Sequence, residues 1–325
     1  MPTLLQKTII DKEKNLYPTW LMRQAGRYMP EYMAVKKASK GFLDMALTPT
    51  KARDITMQPI NAFDMDAAII FSDILVIPFA IGQELDYVPA PVLGPFVKDM
   101  LITPKSLFLE RCQPVYEAIK MTRKELDNSK SLIGFAGAPW TLYRYMNKLT
   151  SSEQADENTE WCLDRLADYI ILHLSAQIEA GCDTIQIFES WAQDIQPAHL
   201  NKCCYDPTSK IVDRIRNLYP EVGIICFPRL IGNNISNYCN WVKPDCVSFS
   251  EDISFGTVKN IKNISYQGGI NPNVLLEKDL NFENISFQLE QMKDQPYVVN
   301  LAHGVNKETN PDHVKQFVDQ IKSYR

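Results

Sequence analysis

Short apolar runs alternate along the chain with longer amphipathic stretches. The runs cover residues 19–22, 67–71, 132–136, 184–188, 223–227, 246–249, 264–267 and 297–301. They are rich in Ile, Val, Phe and Trp and are largely non-alternating, the pattern of strands covered on both faces. Between them, residues 156–180 put Leu163, Leu166, Ala167, Ile170, Leu174 and Ile178 on one helical face, and Gly181 follows as a stop. The last helix opens with Asn310 as N-cap and Pro311 at its first position, then carries Val314, Phe317, Val318 and Ile321 inward. Residues 50–63 read as a helix broken at Pro59.

Strand–helix alternation implies a parallel sheet. Eight such units predict an α/β chain folded as a single-domain (β/α)₈ TIM barrel over residues 1–325, with residues 1–18 as an N-terminal extension. The rival is an open doubly wound sheet. Its phosphate fingerprint, GxGxxG after an early strand, is missing, as are a P-loop and HExxH.

Composition narrows the function. The 325 residues are 45% hydrophobic and 22% charged, ordinary globular proportions. A net charge of −5 argues against a nucleic-acid binder. The charge is unevenly spread. Residues 1–53 hold ten Lys or Arg against four acids, a net +6 that leaves −11 on the remainder. A positive segment on an acidic body suggests a local site for anions. Residues 1–18 lack the apolar core of a secretory signal, and no run approaches the roughly 20 apolar residues of a membrane span. The eight cysteines form no CxxC pair, so a reducing, cytoplasmic setting is expected.

In a barrel of this kind the active site gathers at the C-terminal ends of the strands. Arg23 and Arg27 follow the first run, Ser72-Asp73 the second, and Gly137–Thr141 with nearby Tyr145 the third. Glu189-Ser190-Trp191 follow the fourth, Arg229 the fifth, Ser250 the sixth, Gly268-Gly269 the seventh, and His303-Gly304 the eighth. Arg23 and Arg27, four apart, would repel one another on a helix unless an anion lay between them. Gln24 adds an amide, and Gly26 permits close main-chain approach. Asp73 emerges from an apolar strand and needs a partner, either as a helix N-cap or as an anion awaiting N–H donors. Of the four histidines only His303 follows a predicted strand; His199 with Cys203 is weak evidence for zinc. The set reads as arginines, one acid, hydroxyls and one imidazole, suited to holding a polyanion without a covalent or metal mechanism.

These residues resemble the uroporphyrinogen decarboxylase family. MRQAGRYMPE (22–31), AAIIFSDIL (67–75), GFAGAPWT (134–141), FESW (188–191) and NLAHG (300–304) look like its signature segments, in family order. The resemblance implies a cofactor-independent enzyme, usually a homodimer, that removes four acetate carboxylates from uroporphyrinogen III to give coproporphyrinogen III. By position, Arg23 and Arg27 would bind the substrate's carboxylates, with Gln24, Ala25 and Gly26 shaping the loop. Asp73 would accept the four pyrrole N–H groups, and Tyr145, Ser190 and His303 would hydrogen-bond the substrate. Phe42 would line the pocket. Asp73 and Arg23 are the expected catalytic pair, and no metal is expected.

The sequence departs from the family pattern at Lys36, Ser250, Gly269, Asn271 and Lys307. A zinc-dependent methyltransferase of the same superfamily is one alternative, but the His-x-Cys it needs is absent. A non-catalytic tetrapyrrole-binding protein is another; it would have no use for the acid at Asp73.

Overall fold

The computed structural model describes residues 1–87, 90–154, 156–278 and 280–325. In chain order the strands are β1 (Ala67–Ile69), β2 (Leu85–Tyr87), β3 (Pro91–Leu93), β4 (Ser131–Gly137), β5 (Thr184–Glu189), β6 (Gly223–Pro228), β7 (Cys246–Phe249), β8 (Ser265–Gly268) and β9 (Tyr297–Val298). Among the described residues, seven of them form one curled parallel sheet in the order β1-β4-β5-β6-β7-β8-β9. Each sheet strand is followed by helix before the next, and β4 to β8 are buried on nearly every residue. Burial on both faces explains the unbroken apolar runs. β2 and β3 form a separate antiparallel hairpin after β1.

The first apolar run touches both edges of the sheet without forming a full ladder. Thr19 bridges Val299 in parallel, and the Val299 N–H donates to the Pro18 carbonyl at 2.9 Å. On the other side, the Asp66 N–H donates to the Thr19 carbonyl at 2.9 Å, while the Asp66 carboxylate accepts from the Thr19 N–H at 2.7 Å. The ladder stops because side chains take over its bonds: the Met22 N–H donates to Asn300 Oδ1 at 3.0 Å.

A small core lies inside the curl. Trp20, Met22, Ala67, Ile133, Ile225, Phe227, Cys246 and Val298 pack there with Leu5 and Ile9. A polar chain crosses it: Trp20 Nε1 donates to Gln267 Oε1 at 2.9 Å, and Gln267 Nε2 donates to Gln186 Oε1 at 3.0 Å. The larger core lies between sheet and helices.

The N-terminal segment floors this interior. The helix Leu4–Ile9 starts from a Thr3–Gln6 capping box and buries Leu5 and Ile9 completely. Burying two such side chains stabilises the fold by roughly 1.5–3 kcal/mol each. Gly223 makes the room, since a Cβ there would sit 2.3 Å from Ile9 Cδ1. Lys12 Nζ ties the segment to the Asp245 carbonyl at 2.6 Å.

The helix Thr159–Ala180 ends at Gly181 with φ of 126°, and Asn310 caps Pro311–Lys322 through the Asp312 N–H. One expectation needs correction. The helix Pro49–Phe63 runs through Pro59 without a break. Ile55, Ile60 and Phe63 are buried on either side of the proline, and their packing outweighs one lost backbone bond. The stretch bearing Arg23 and Arg27 is a series of turns, so the two are not helical i,i+4 neighbours. All eight cysteines are free and buried. No helix among the described residues is long and apolar enough to cross a membrane.

Candidate active site

Arg23 lies within electrostatic reach of several polar groups at the C-terminal ends of the strands. It follows the first run in a turn with φ of +59°, a left-handed conformation unfavourable for a side chain of this kind. Its guanidinium is open to solvent on one side, yet burial lowers its pKa, and Arg229 and Arg27 lower it further. Tyr145 and Asp73 act in the opposite sense. Four site groups therefore act on one guanidinium. Gly304 lets Arg23 lie flat: a Cβ at that position would meet Arg23 Cδ at 2.4 Å.

Asp73 stands two residues past the end of the β1 run, where Ile70 is buried and Phe71 half-buried. Its Oδ1 accepts the Leu75 N–H at 2.8 Å. Burial raises its pKa; the Leu75 N–H, Tyr87 and Arg23 pull it back down. The acid is thus neither a simple cap nor free in water. His303, half-buried at the end of the last run, has its pKa lowered by burial, then by Arg23 and Arg229. It stays neutral near pH 7.

Tyr145 projects from the helix Pro139–Asn147 and meets Trp191 edge-on, ring centroids 6.0 Å apart. Arg144 lies 3.7 Å over the same indole and pairs with Asp194 at 2.8 Å. Ser190 is half-buried; its N–H donates to Thr141 Oγ1 at 2.8 Å. Phe42 packs against Tyr87 and Phe71 with tilted rings, centroids 4.6 Å and 5.4 Å away.

The loop after Arg23 divides in role. Arg27 is exposed beside Arg23 and Tyr32, and it makes no ion pair among the described residues. Gln24 is buried, and its amide serves the backbone: Oε1 accepts the Leu21 N–H and Nε2 donates to the Ala67 carbonyl, both at 3.2 Å. Ala25 packs against the main core, and the Gly26 carbonyl accepts the Met29 N–H at 2.9 Å.

Three groups join the site beyond those expected. Arg229 follows β6; its N–H donates to the Glu189 carbonyl at 2.9 Å, and its side chain reaches the field of both Arg23 and His303. Its position at a strand end was visible in the sequence, its convergence on Arg23 was not. Tyr87 arrives from the β2–β3 hairpin, outside the barrel pattern altogether. Glu189 is fully buried under Ser190, where it accepts from the Thr141 hydroxyl and from the Thr141 and Trp191 N–H groups, each at 3.3 Å. Burial pushes its pKa up to about 7.

The departures keep local tasks. Ser250 Oγ accepts the Leu230 N–H at 3.2 Å, fixing the residue after Arg229. Gly269 has φ of +83°, and a Cβ there would strike Phe249 at 2.2 Å. Asn271 caps the short Pro272–Leu276 turn. Lys36 is exposed, and Lys307 pairs with Glu308 at 3.2 Å on the surface.

A concavity of about 490 Å³ flanks the site between the loops after β5 and β6, lined by Ala192, Asp194, Leu230 and Asn234 among others. No expected site residue lines it. Among the described residues no three of His, Cys, Asp or Glu come together as metal ligands.

The family model for uroporphyrinogen decarboxylase matches residues 2–324. Uroporphyrinogen decarboxylase from Rickettsia bellii is 37% identical, with 97% of each chain covered. That from Erythrobacter litoralis is 33% identical, with all of each chain covered. Among solved structures, a methyltransferase from Methanosarcina mazei superposes with a TM-score of 0.78, covering 99% of this chain and 98% of its own. At 18% identity that likeness speaks to the fold alone.

Proposed function

The chain belongs to the uroporphyrinogen decarboxylase family, and we infer that it is a carboxy-lyase that decarboxylates uroporphyrinogen in tetrapyrrole biosynthesis. The finer reading is that it converts uroporphyrinogen III to coproporphyrinogen III by removing four acetate carboxylates, without a cofactor. The observation that supports it is the mutual electrostatic reach of the half-buried acid Asp73 and Arg23, with Arg229 and Arg27 acting on the same guanidinium.

The chemistry follows from that arrangement. The substrate carries eight carboxylates, and guanidiniums grip carboxylates in a planar fork. Arg23, Arg27 and Arg229 are placed to hold these arms. Asp73 would accept the four pyrrole N–H groups of the folded macrocycle. A proton adds to a ring carbon and makes the ring cationic. The bond to the acetate carboxyl then breaks; CO₂ leaves, and its electron pair enters the cationic ring. The former acetate carbon takes up a proton to become a methyl group as the ring carbon gives one back. Asp73 stabilises the cation as it forms, where low dielectric makes that worth most. Arg23 is a poor acid. Its role is to position a carboxylate or water that passes the proton. Tyr145, Ser190 and His303 hydrogen-bond the substrate, and neutral His303 does so without adding charge. Phe42 lines the pocket. Gln24, Ala25 and Gly26 shape the loop, Gln24 through its bonds to Leu21 and Ala67.

The fold reads best as a closed single-domain (β/α)₈ barrel, residues 19–22 standing as the strand between β9 and β1. The bonds from Thr19 and Pro18 to Val299 and Asp66, and the core inside the curl, support this. We read the protein as a cytoplasmic homodimer that binds no nucleic acid; light scattering tests the dimer. Anaerobic incubation with uroporphyrinogen III, with and without chelator, followed by chromatography, tests the activity. Coproporphyrinogen III forming equally in both arms is expected. Unchanged substrate overturns the reading, and chelator-dependent turnover turns it toward a metal enzyme.

A further inference from the structure

We propose that Tyr87 is a positioning residue for the decarboxylation: its phenolic hydroxyl, braced by Phe42, donates a hydrogen bond to the Asp73 carboxylate and fixes it beneath the macrocycle. The inference rests on the reading of Asp73 given above and adds a residue to it.

The placement comes from the hairpin. Tyr87 closes β2, paired with Pro91 of β3, and this turns its ring onto Phe42 at 4.6 Å and 31°. Phe42 in turn packs on Phe71, two residues before Asp73. An aromatic wall thus holds the phenol against the acid. The Tyr87 hydroxyl is buried and has no hydrogen-bond partner among the described residues. A buried hydroxyl left unpaired costs free energy, so its retention here indicates a bond still to be made. The polar groups it faces are the Asp73 carboxylate and the Tyr145 hydroxyl.

The acid is incompletely held from its own side. Oδ1 accepts the Leu75 N–H, Arg23 acts through its charge, and among the described residues no aligned hydrogen bond fixes Oδ2. Tyr87 already couples to this carboxylate and favours its anionic form, without an aligned hydrogen bond. Hydrogen bonds that serve catalysis commonly sit long or misaligned until substrate is bound. Burial and the Asp73 charge push the phenol pKa far up, so Tyr87 keeps its proton and acts as a donor throughout. The remaining charges near the site belong to Arg27 and Arg229, which act on Arg23, and His303 faces Arg23 and Arg229 as a neutral imidazole.

The test is Tyr87→Phe, which keeps the ring on Phe42 and removes the hydroxyl. A hydrogen bond to a charged group predicts that kcat with uroporphyrinogen III falls about tenfold or more, with KM within about twofold. In an Asp73→Asn background, single-turnover rates should change by less than about twofold on adding Tyr87→Phe, since the amide can still accept the bond but the anion that the bond positions is gone. Wild-type kcat in Tyr87→Phe, or an equal loss in both backgrounds, overturns the proposal. Should Tyr87→Phe fail to fold by circular dichroism, 3,5-difluorotyrosine placed at position 87 carries the test. Its more acidic phenol donates a stronger bond, so the acid limb of the pH profile moves down; an unmoved limb overturns the proposal. Wild-type protein that forms no coproporphyrinogen overturns the functional reading first, and is distinguished because no substitution is involved.

Discussion

The side chain of Arg23 lies in the space that a side chain at Gly304 would fill. A Cβ on Gly304 would come within 2.4 Å of Arg23 Cδ and 2.7 Å of Cγ. Gly304 is required here for room, and the left-handed turn at Arg23 delivers the guanidinium into that room. Gly304→Ala should leave the fold intact and push Arg23 out of place. Displacing a positioning group by about 1 Å can cost on the order of 100-fold in rate. We expect kcat/KM for uroporphyrinogen to fall by at least tenfold at unchanged thermal midpoint; wild-type kinetics would show that Arg23 does not need this seat.

Arg27 and Arg229 flank Arg23, and both lack an ion pair among the described residues. If they hold the substrate's carboxylates equally in the ground and transition states, their loss raises KM and spares kcat. Arg27→Ala and Arg229→Ala should each raise KM about tenfold, the value of one charge-assisted hydrogen bond. The effect should shrink as salt is added. A normal KM in Arg229→Ala would remove that residue from the site.

Glu189 makes folding stability depend on pH. Its pKa rises from the ordinary 4.5 to about 7 in the folded protein, driven by burial. The folded state therefore holds a proton that the unfolded chain has released, and stability falls as pH rises from about 4.5 through 7. The loss is on the order of 3 kcal/mol. Glu189→Gln removes this contribution. Denaturant titrations of both proteins at pH 5 and pH 8 should show a smaller drop in the variant, and equal drops would place the carboxyl in a wetter setting.

Reading the residues after each apolar run named Arg23, Asp73, Tyr145, Ser190 and His303 as candidates, because parallel strands deliver their C-terminal ends to one mouth; of these, Asp73, Tyr145 and His303 come within electrostatic reach of Arg23. The same reading noted Arg229 and Glu189 without their roles. Those roles come from burial and from side-chain reach, which depend on the closed packing of β5 on β6. Tyr87 was illegible for a different reason. It sits in an antiparallel hairpin inserted after β1, and only tertiary folding returns that hairpin to Asp73. Gln24 illustrates the converse: its residue type suggested a ligand contact, but Leu21 and Ala67 needed its amide for backbone bonds. Pro59 misled because local propensity is weak against a buried helix face.

The account turns on Asp73 as the anion that stabilises the cationic ring. Asp73→Asn keeps the size of the side chain and removes its charge. The direct measurement is anaerobic single-turnover decarboxylation of uroporphyrinogen III by wild-type and Asp73→Asn protein, each shown to be folded by circular dichroism. The account predicts a fall of roughly 100- to 1,000-fold in the variant, the loss seen when one preorganised electrostatic contact is removed. Equal rates in the two proteins would contradict it.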